Sequence, residues 1–294
     1  MEKLINLDSF VIQSILPILL SDRTTGKNII WATSNYSSSG DGYGELDEVT
    51  IDKLKSIDIQ PRVLKTKEVQ KSRSKKRAEV FTPSWICNMM NNHCDEQWFG
   101  RLDVFNIQTD KTWKSNDEKI EFENVKGKTW QDYVLSTRLE ITCGEAPYLA
   151  SRYDTTTGEL ICVSERIGML DRKLRVVNEN TITEEEWFEW VVKSYQSIYG
   201  YEFQGDNLLI ARMNLILTFV DYMKCKWDKE PTKEQLEKIA TIISWNIWQM
   251  DGLNYTIPLC GQTNGEKVYA KIIEWGDCNS ANILYFKDLL KADS

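Results

Sequence analysis

Histidine is nearly missing from this 294-residue chain: His93 is the only one. A Ser-His-Asp or Cys-His arrangement of the usual kind then has a single candidate base, and a histidine-rich metal centre has no basis. His93 precedes Cys94, with Cys87 six positions earlier. Zinc would need a fourth ligand and a closer pair such as Cys-x-x-Cys, which the sequence lacks. No metal is expected. The seven cysteines (Cys87, Cys94, Cys143, Cys162, Cys225, Cys260, Cys278) are odd in number and scattered, so reduced thiols in a cytoplasm are the natural expectation. Of the six prolines no two are adjacent. No apolar run reaches the roughly 20 residues that span a bilayer. Met1–Asp8 becomes charged too early for a secretory leader, and no membrane association is expected. Positive charge is also short: 36 Lys and Arg against 44 Asp and Glu leave a net charge of -8. A protein that grips nucleic acid over its whole surface is more often basic, so any DNA contact must come from a local patch or from a partner.

What is present is material for a core. Apolar residues make up 41% of the chain, with 11 tryptophans, enough for one large domain or one domain with a smaller appendage. Phe10–Leu20 suits a short helix interrupted or kinked near Pro17, and Asn28–Thr33 reads as a strand. Ser34–Gly44 is a Ser- and Gly-rich loop. The most basic run, Leu64–Arg77, holds seven cations and one acid. It reads either as a phosphate-contacting patch or as a solvated helix face or loop. A turn at Phe81-Thr82-Pro83 then opens a helix from Ser84, with Ile86, Met89 and Met90 expected on one face. Residues 95–135 read as an insertion of loops and short strands, and Ile167–Val177 shows no clear period.

Past that point the pattern sharpens. Leu139–Leu149 is a β-prone run ending at a small-residue turn around Cys143, Gly144 and Glu145, where a ligand can approach the backbone. Capping boxes at Thr183–Glu186 and Thr232–Gln235 open two helices. Asn207–Met223 reads as a long, largely buried helix. Ser197–Phe203 and Asn246–Asp251 read as short strands that close on an acid. Val268–Asp277 is one more strand, followed by a terminal helix over Asn282–Leu290. Strands alternating with helices, with polar residues at each strand's carboxyl end, predict an α/β fold: a parallel sheet covered by helices, with a ligand crevice along the strand ends.

The succession Phe81-Thr-Pro, Leu139-Glu-x-x-Cys-Gly, Tyr199-Gly-Tyr-Glu and Asn246-Ile-Trp-Gln-Met-Asp-Gly-Leu resembles the bacterial DNA methyltransferases that act on the adenine amino group. It is most similar to the chains known as restriction endonuclease subunit M, over about residues 78–255. The resemblance implies a Rossmann-like S-adenosylmethionine-dependent methyltransferase fold over residues 78–294, here shortened. Residues 1–77 would be an N-terminal extension that ends in a basic linker. It also implies cofactor contacts. Phe81, Thr82 and Pro83, with Glu140, Cys143 and Gly144, would lie against the methionine part of S-adenosylmethionine. Glu202 would accept from both ribose hydroxyls, Phe203 would pack on the adenine face, and Asp251 would accept from the adenine amino group.

Two departures stand beside the resemblance. Ala146 occupies the place of the family's second glycine, and Pro147 that of a small residue. The catalytic motif, an Asp, Asn or Ser followed by Pro-Pro and an aromatic, is missing. Its positional substitutes are Glu274 and Asp277 as acceptors and Trp275 for stacking on a flipped base. DNA would be met by Lys71, Arg73, Lys75, Lys76 and Arg77, or by a partner subunit. Two functions are therefore expected in competition. One is a DNA adenine methyltransferase-like modification subunit of a restriction-modification or related defence system. The other is a catalytically silent methyltransferase-fold protein with a regulatory, assembly or anti-restriction role.

Overall fold

A computed structural model describes residues 4–7, 9–77, 82–122, 127–262, 266–276 and 281–290. Its centre is a parallel sheet of three short strands, β3 (Arg138–Glu140), β4 (Ile198–Glu202) and β5 (Ile247–Gln249), side by side in that order. Leu139 stands opposite Tyr199, and Tyr201 opposite Trp248. Parallel neighbours require crossovers. Here α6 (Met169–Asn180) and α7 (Glu184–Gln196) connect β3 to β4, while α8 (Gly205–Trp227) and α9 (Lys233–Asn246) connect β4 to β5. β4 and β5 are almost wholly buried because both sheet faces are covered. The 23-residue α8 is the central helix, packed on α9, β4, β5, α6 and α1 (Phe10–Leu20).

Local chemistry explains where these helices start. Thr183 caps α7 through the Glu186 amide, and Thr232 with Gln235 forms a reciprocal capping box on α9. At α7 the box is incomplete: the Glu186 carboxylate reaches back to the Ile182 amide at 3.4 Å, one residue before the cap. Pro17 is accommodated inside a continuous α1 rather than breaking it.

Residues 10–59 contribute Ile12, Ile15, Leu16, Leu19, Trp31 and Ile59 to the same buried cluster as α6–α9. The expected strand over Asn28–Thr33 forms no ladder. Instead the Gln249 side chain substitutes for a neighbouring strand: it accepts from the Ile30 amide (2.9 Å) and donates to the Ile30 carbonyl (2.8 Å). Trp31 accepts from the Gly205 amide at 2.9 Å. The approach is so close that a Cβ on Gly205 would stand 2.1 Å from the Ile30 carbonyl oxygen, which is why α8 opens on glycine.

Elsewhere the chain settles an open reading or departs from one. The basic run folds as α3 (Lys67–Arg77), following the short α2 (Ile51–Ser56). α4 (Ser84–Phe99) starts where expected, but it buries Cys87, Asn88, Asn91 and Asp95 and exposes Met89 and Met90. Its inner face is polar because Arg172 of α6 lies against it, donating to Asp95, Asn88 and Asn92. Residues 95–135 hold a hairpin, β1 (Asn106–Thr109) with β2 (Thr112–Ser115), and α5 (Trp130–Leu135). Val163–Glu165 is a single helical turn, and α6 occupies the segment without a clear period. The expected terminal helix is two elements: β7 (Ala281–Tyr285) pairs antiparallel with β6 (Lys271–Trp275), and only Phe286–Leu289 is helical, as α10. Among the described residues no helix is long and apolar enough to cross a membrane.

Candidate functional site at the sheet's carboxyl edge

β3 ends on Glu140 and β4 on Glu202, and Asp251 follows β5 by two residues. The parallel register therefore brings three acids to one edge of the sheet. Between β3 and α6 the chain turns tightly, with Thr142 (φ 47°), Gly144 (φ 56°) and Ala146 (φ 61°) all left-handed. The turn is tied to the next strand twice: the Cys143 amide donates to the Tyr201 carbonyl (2.8 Å) and the Gly144 amide to Glu202 Oε2 (3.0 Å). Glu202 also accepts from the Gln204 amide at 3.0 Å, so two backbone donors fix its carboxylate plane. A Cβ on Gly144 would meet nothing within 4 Å. The backbone angle alone favours glycine here, and the space over the turn is open.

Glu140 is held differently. Its two oxygens accept from the Tyr148 (3.4 Å) and Leu149 (3.1 Å) amides, shaping the far side of the same loop. Burial pushes its carboxyl well above the ordinary range; the two amide bonds oppose this, and the charge on Glu202 adds to it. The folded state therefore binds this proton more tightly than the unfolded chain. Its contribution to stability is full below the unfolded pKa and is lost as the pH rises through the folded value. Urea midpoints taken between pH 5 and pH 8 should fall with pH, and Glu140→Gln should flatten the decline. An equal slope in both proteins would show that Glu140 is ionised throughout.

Thr82 and Pro83 come to the same loop. Pro83 caps α4, and the Thr82 carbonyl accepts from the Thr155 hydroxyl at 2.9 Å. Asp154 accepts from the Ser84 amide at 2.8 Å. Burial opposes its ionisation, but bonds from Thr156 and Ser84 outweigh this and hold its carboxyl at about 2. The Cys87 and Cys143 thiols, buried near Glu140, are both pushed up by burial and then by that acid. Phe203 is half-buried in the turn after Glu202, its carbonyl accepting from Gln249. The Asp251 carboxylate accepts from the Leu253 and Asn254 amides and the Asn254 side chain. Phe81 lies outside the described residues.

The remaining assignments are not brought together. Trp275 donates to Asn246, the residue preceding β5, at 2.8 Å, and the Tyr199 hydroxyl near the start of β4 donates to Ile273 at 3.1 Å. β6 thus ends beside the amino end of the sheet. Glu274 and Trp275 stand across it from Glu202 and Asp251, because Thr256 and Tyr269 pair antiparallel, so that the chain enters β6 from the carboxyl edge and runs back along the sheet. Asp277 lies outside the described residues. In the basic run, Lys71 and Lys75 are exposed, whereas Arg73 is 2% exposed with its guanidinium on Asp206 at 2.8 and 3.2 Å. Arg73 is therefore corrected from a phosphate ligand to an internal ion-pair partner. The side chains of Lys76 and Arg77 lie outside the described residues.

The sequence reading named Glu145 only as a turn donor, yet it clamps the loop. Its carboxylate accepts from the Arg62 amide and the Tyr153 hydroxyl, both at 2.7 Å, and its carbonyl accepts from Asn214 at 3.0 Å. An acid set between Gly144 and Ala146 in the small-residue turn was the available signal. Among the described residues no group of three or more His, Cys, Asp or Glu could hold a metal ion. No protein-family model matches this chain, and no curated protein or solved structure matches it significantly, so the geometry of the strand-end loop carries the functional reading.

Proposed function

We propose that the chain binds S-adenosylmethionine at the carboxyl edge of β3, β4 and β5 and is a methyltransferase-like protein without a catalytic acceptor set of its own. The observation that carries this reading is Glu202: a buried carboxylate at the end of the middle strand, its plane fixed by two backbone amides, beside the open space over Gly144. A fixed two-oxygen acceptor suits a vicinal diol, the ribose of the cofactor. Phe203 follows it and would meet the adenine face, and Asp251, two residues past β5, would accept from the adenine amino group. Glu140 would act by shaping the loop through the Tyr148 and Leu149 amides. When bound, the cofactor would supply an electrophilic methyl group.

Direct transfer of that methyl group to a DNA adenine needs acceptors and a stacking ring beside it. Glu274 and Trp275 sit across the sheet, which favours the silent, regulatory or assembly role over a self-sufficient modification subunit. The restriction or anti-restriction setting of that role comes from the sequence resemblance.

Calorimetric titration of the full chain with S-adenosylmethionine tests the reading. Saturable binding is expected, and Glu202→Ala should weaken it at least about tenfold, as for loss of hydrogen bonds to a charged acceptor. No heat of binding at millimolar cofactor, from a protein with an intact unfolding transition, would overturn it. Radiolabelled methyl transfer to DNA by the chain alone would overturn the silent part while keeping the binding part.

A further inference from the structure

We propose that Cys162 and Cys225 are an oxidation site, a thiol pair that hydrogen peroxide converts into a disulfide within the chain. The inference does not rest on cofactor binding. The two residues are 63 positions apart, yet they line one cleft of about 400 Å³ between the 152–166 segment and the last turns of α8. Among the described residues they are the two exposed cysteines. Cys87, Cys143 and Cys260 are buried, and Cys94 is half-buried. Oxidants in solution reach exposed thiols before buried ones.

The two walls of the cleft are held against each other. The Arg166 side chain is 6% exposed, and its guanidinium donates to the Ile161 carbonyl at 3.3 Å and to Asp221 at 2.6 Å. One guanidinium thus touches the residue before Cys162 and the residue one helical turn before Cys225, on the same face of α8. Arg152 reaches the same Asp221 oxygen at 2.9 Å. The helical turn Val163–Glu165, which Cys162 opens, packs on α8 as well.

The reaction balances with peroxide as the oxidant. One thiolate attacks a peroxide oxygen: the S–O bond forms, the O–O bond breaks, and the departing hydroxide leaves as water with the proton that the thiol gave up. The second thiolate attacks the sulfenic sulfur, so the S–S bond forms and the S–O bond breaks, releasing a second water. Two electrons and two protons pass from the thiol pair to hydrogen peroxide. The product ties the segment that carries the Tyr153–Leu160 bridge to α8. Tyr153 donates to Glu145, so oxidation would stiffen the support of the strand-end loop.

The test treats the full chain with hydrogen peroxide, alkylates it, and maps its peptides by mass spectrometry without reduction. The thiols counted after unfolding should fall by two from the seven of the chain. One peptide pair, carrying Cys162 and Cys225, should be linked, and dithiothreitol should release it. The link should form at least about tenfold faster in the folded protein than in urea, where the cleft no longer holds the thiols together. Because it closes a long loop, it should raise Tm by about 5–10 °C. Cys162→Ser and Cys225→Ser, both at exposed positions, should each abolish the link and the rise in Tm. Each should also leave a sulfenic acid on the remaining cysteine, which dimedone captures. Absence of this link, a link between molecules or through another cysteine, or equal rates in the folded protein and in urea would overturn the proposal. Because the cofactor is absent throughout, failure here leaves the strand-end reading untouched.

Discussion

Replacing Arg212 by Met should cost about 4 kcal/mol of folding stability and leave much of the chain unfolded at 37 °C. Arg212 is fully buried in the middle of α8, and its guanidinium donates to four carbonyls: Ile247 (2.8 Å), Leu19 (2.6 Å), Ser21 (3.0 Å) and Ser244 (3.2 Å). Those oxygens belong to the start of β5, the end of α1, the chain just beyond it and the last turn of α9. One side chain thus closes the junction of three helices and a strand. Burial lowers its pKa to about 10, so the charge persists at neutral pH and all four bonds are charge-assisted. Each buried carbonyl left without a donor costs about 1–3 kcal/mol, so losing two or three of the four gives the stated value. That is a large share of the about 5–15 kcal/mol by which domains are stable. Arg212→Lys should fall between wild type and the Met variant, because one ammonium cannot fan out to four acceptors. Urea unfolding of the three proteins checks the order. A Met variant within about 1 kcal/mol of wild type would mean that water or a backbone shift replaces the guanidinium, at the ordinary net worth of one hydrogen bond.

Much of the architecture was legible because its signals are local. Thr183 and Thr232 mark helix starts within four residues of chain, and β4 and β5 are short, largely apolar runs that stop on or just before an acid. What was hidden depends on partners far away in sequence. α6 shows no clear period because Asp171, Arg172 and Lys173 stand consecutively inside the core. Arg172 is satisfied by Asp95 and Asn88 on α4, and Lys173 by Val134, Ser136 and Ser197. The polar inner face of α4 has the same cause. Arg73 was read as a surface cation because its carboxylate lies 133 residues further on. Glu274 and Trp275 were placed near the cofactor because order along the chain was taken for proximity. The return of the chain before β6, which carries them to the opposite edge of the sheet, is invisible to any short window.

Asp206→Asn should be the other severe variant, at about 3–5 kcal/mol, the usual result of removing one partner from a buried ion pair. For a chain of this size that amounts to roughly 10 °C in Tm. Asp206 is fully buried and accepts from Arg73 through both oxygens, from the Tyr36 hydroxyl at 2.9 Å and from Lys65 at 3.4 Å. An amide of the same shape would turn two hydrogens towards these donors and take the carboxylate away from the Arg73 guanidinium. Burial raises the Asp206 pKa, but Lys65, Arg73 and the bonds from Arg73 and Tyr36 outweigh it, holding the carboxyl well below the usual carboxylate range. With the folded pKa depressed, the stabilisation is present above the unfolded value near 4 and disappears only as the pH falls through the folded one. The penalty of Asp206→Asn should therefore be nearly as large at pH 4.5 as at pH 7. Thermal unfolding at both pH values tests this. The double variant Arg73→Met/Asp206→Leu should recover much of the loss, because the cost lies mainly in the stranded charge rather than in the missing attraction. If Asp206→Asn costs less than about 1 kcal/mol, the pair behaves like one on an open surface. The contact that holds α3 against α8 would then have to lie elsewhere.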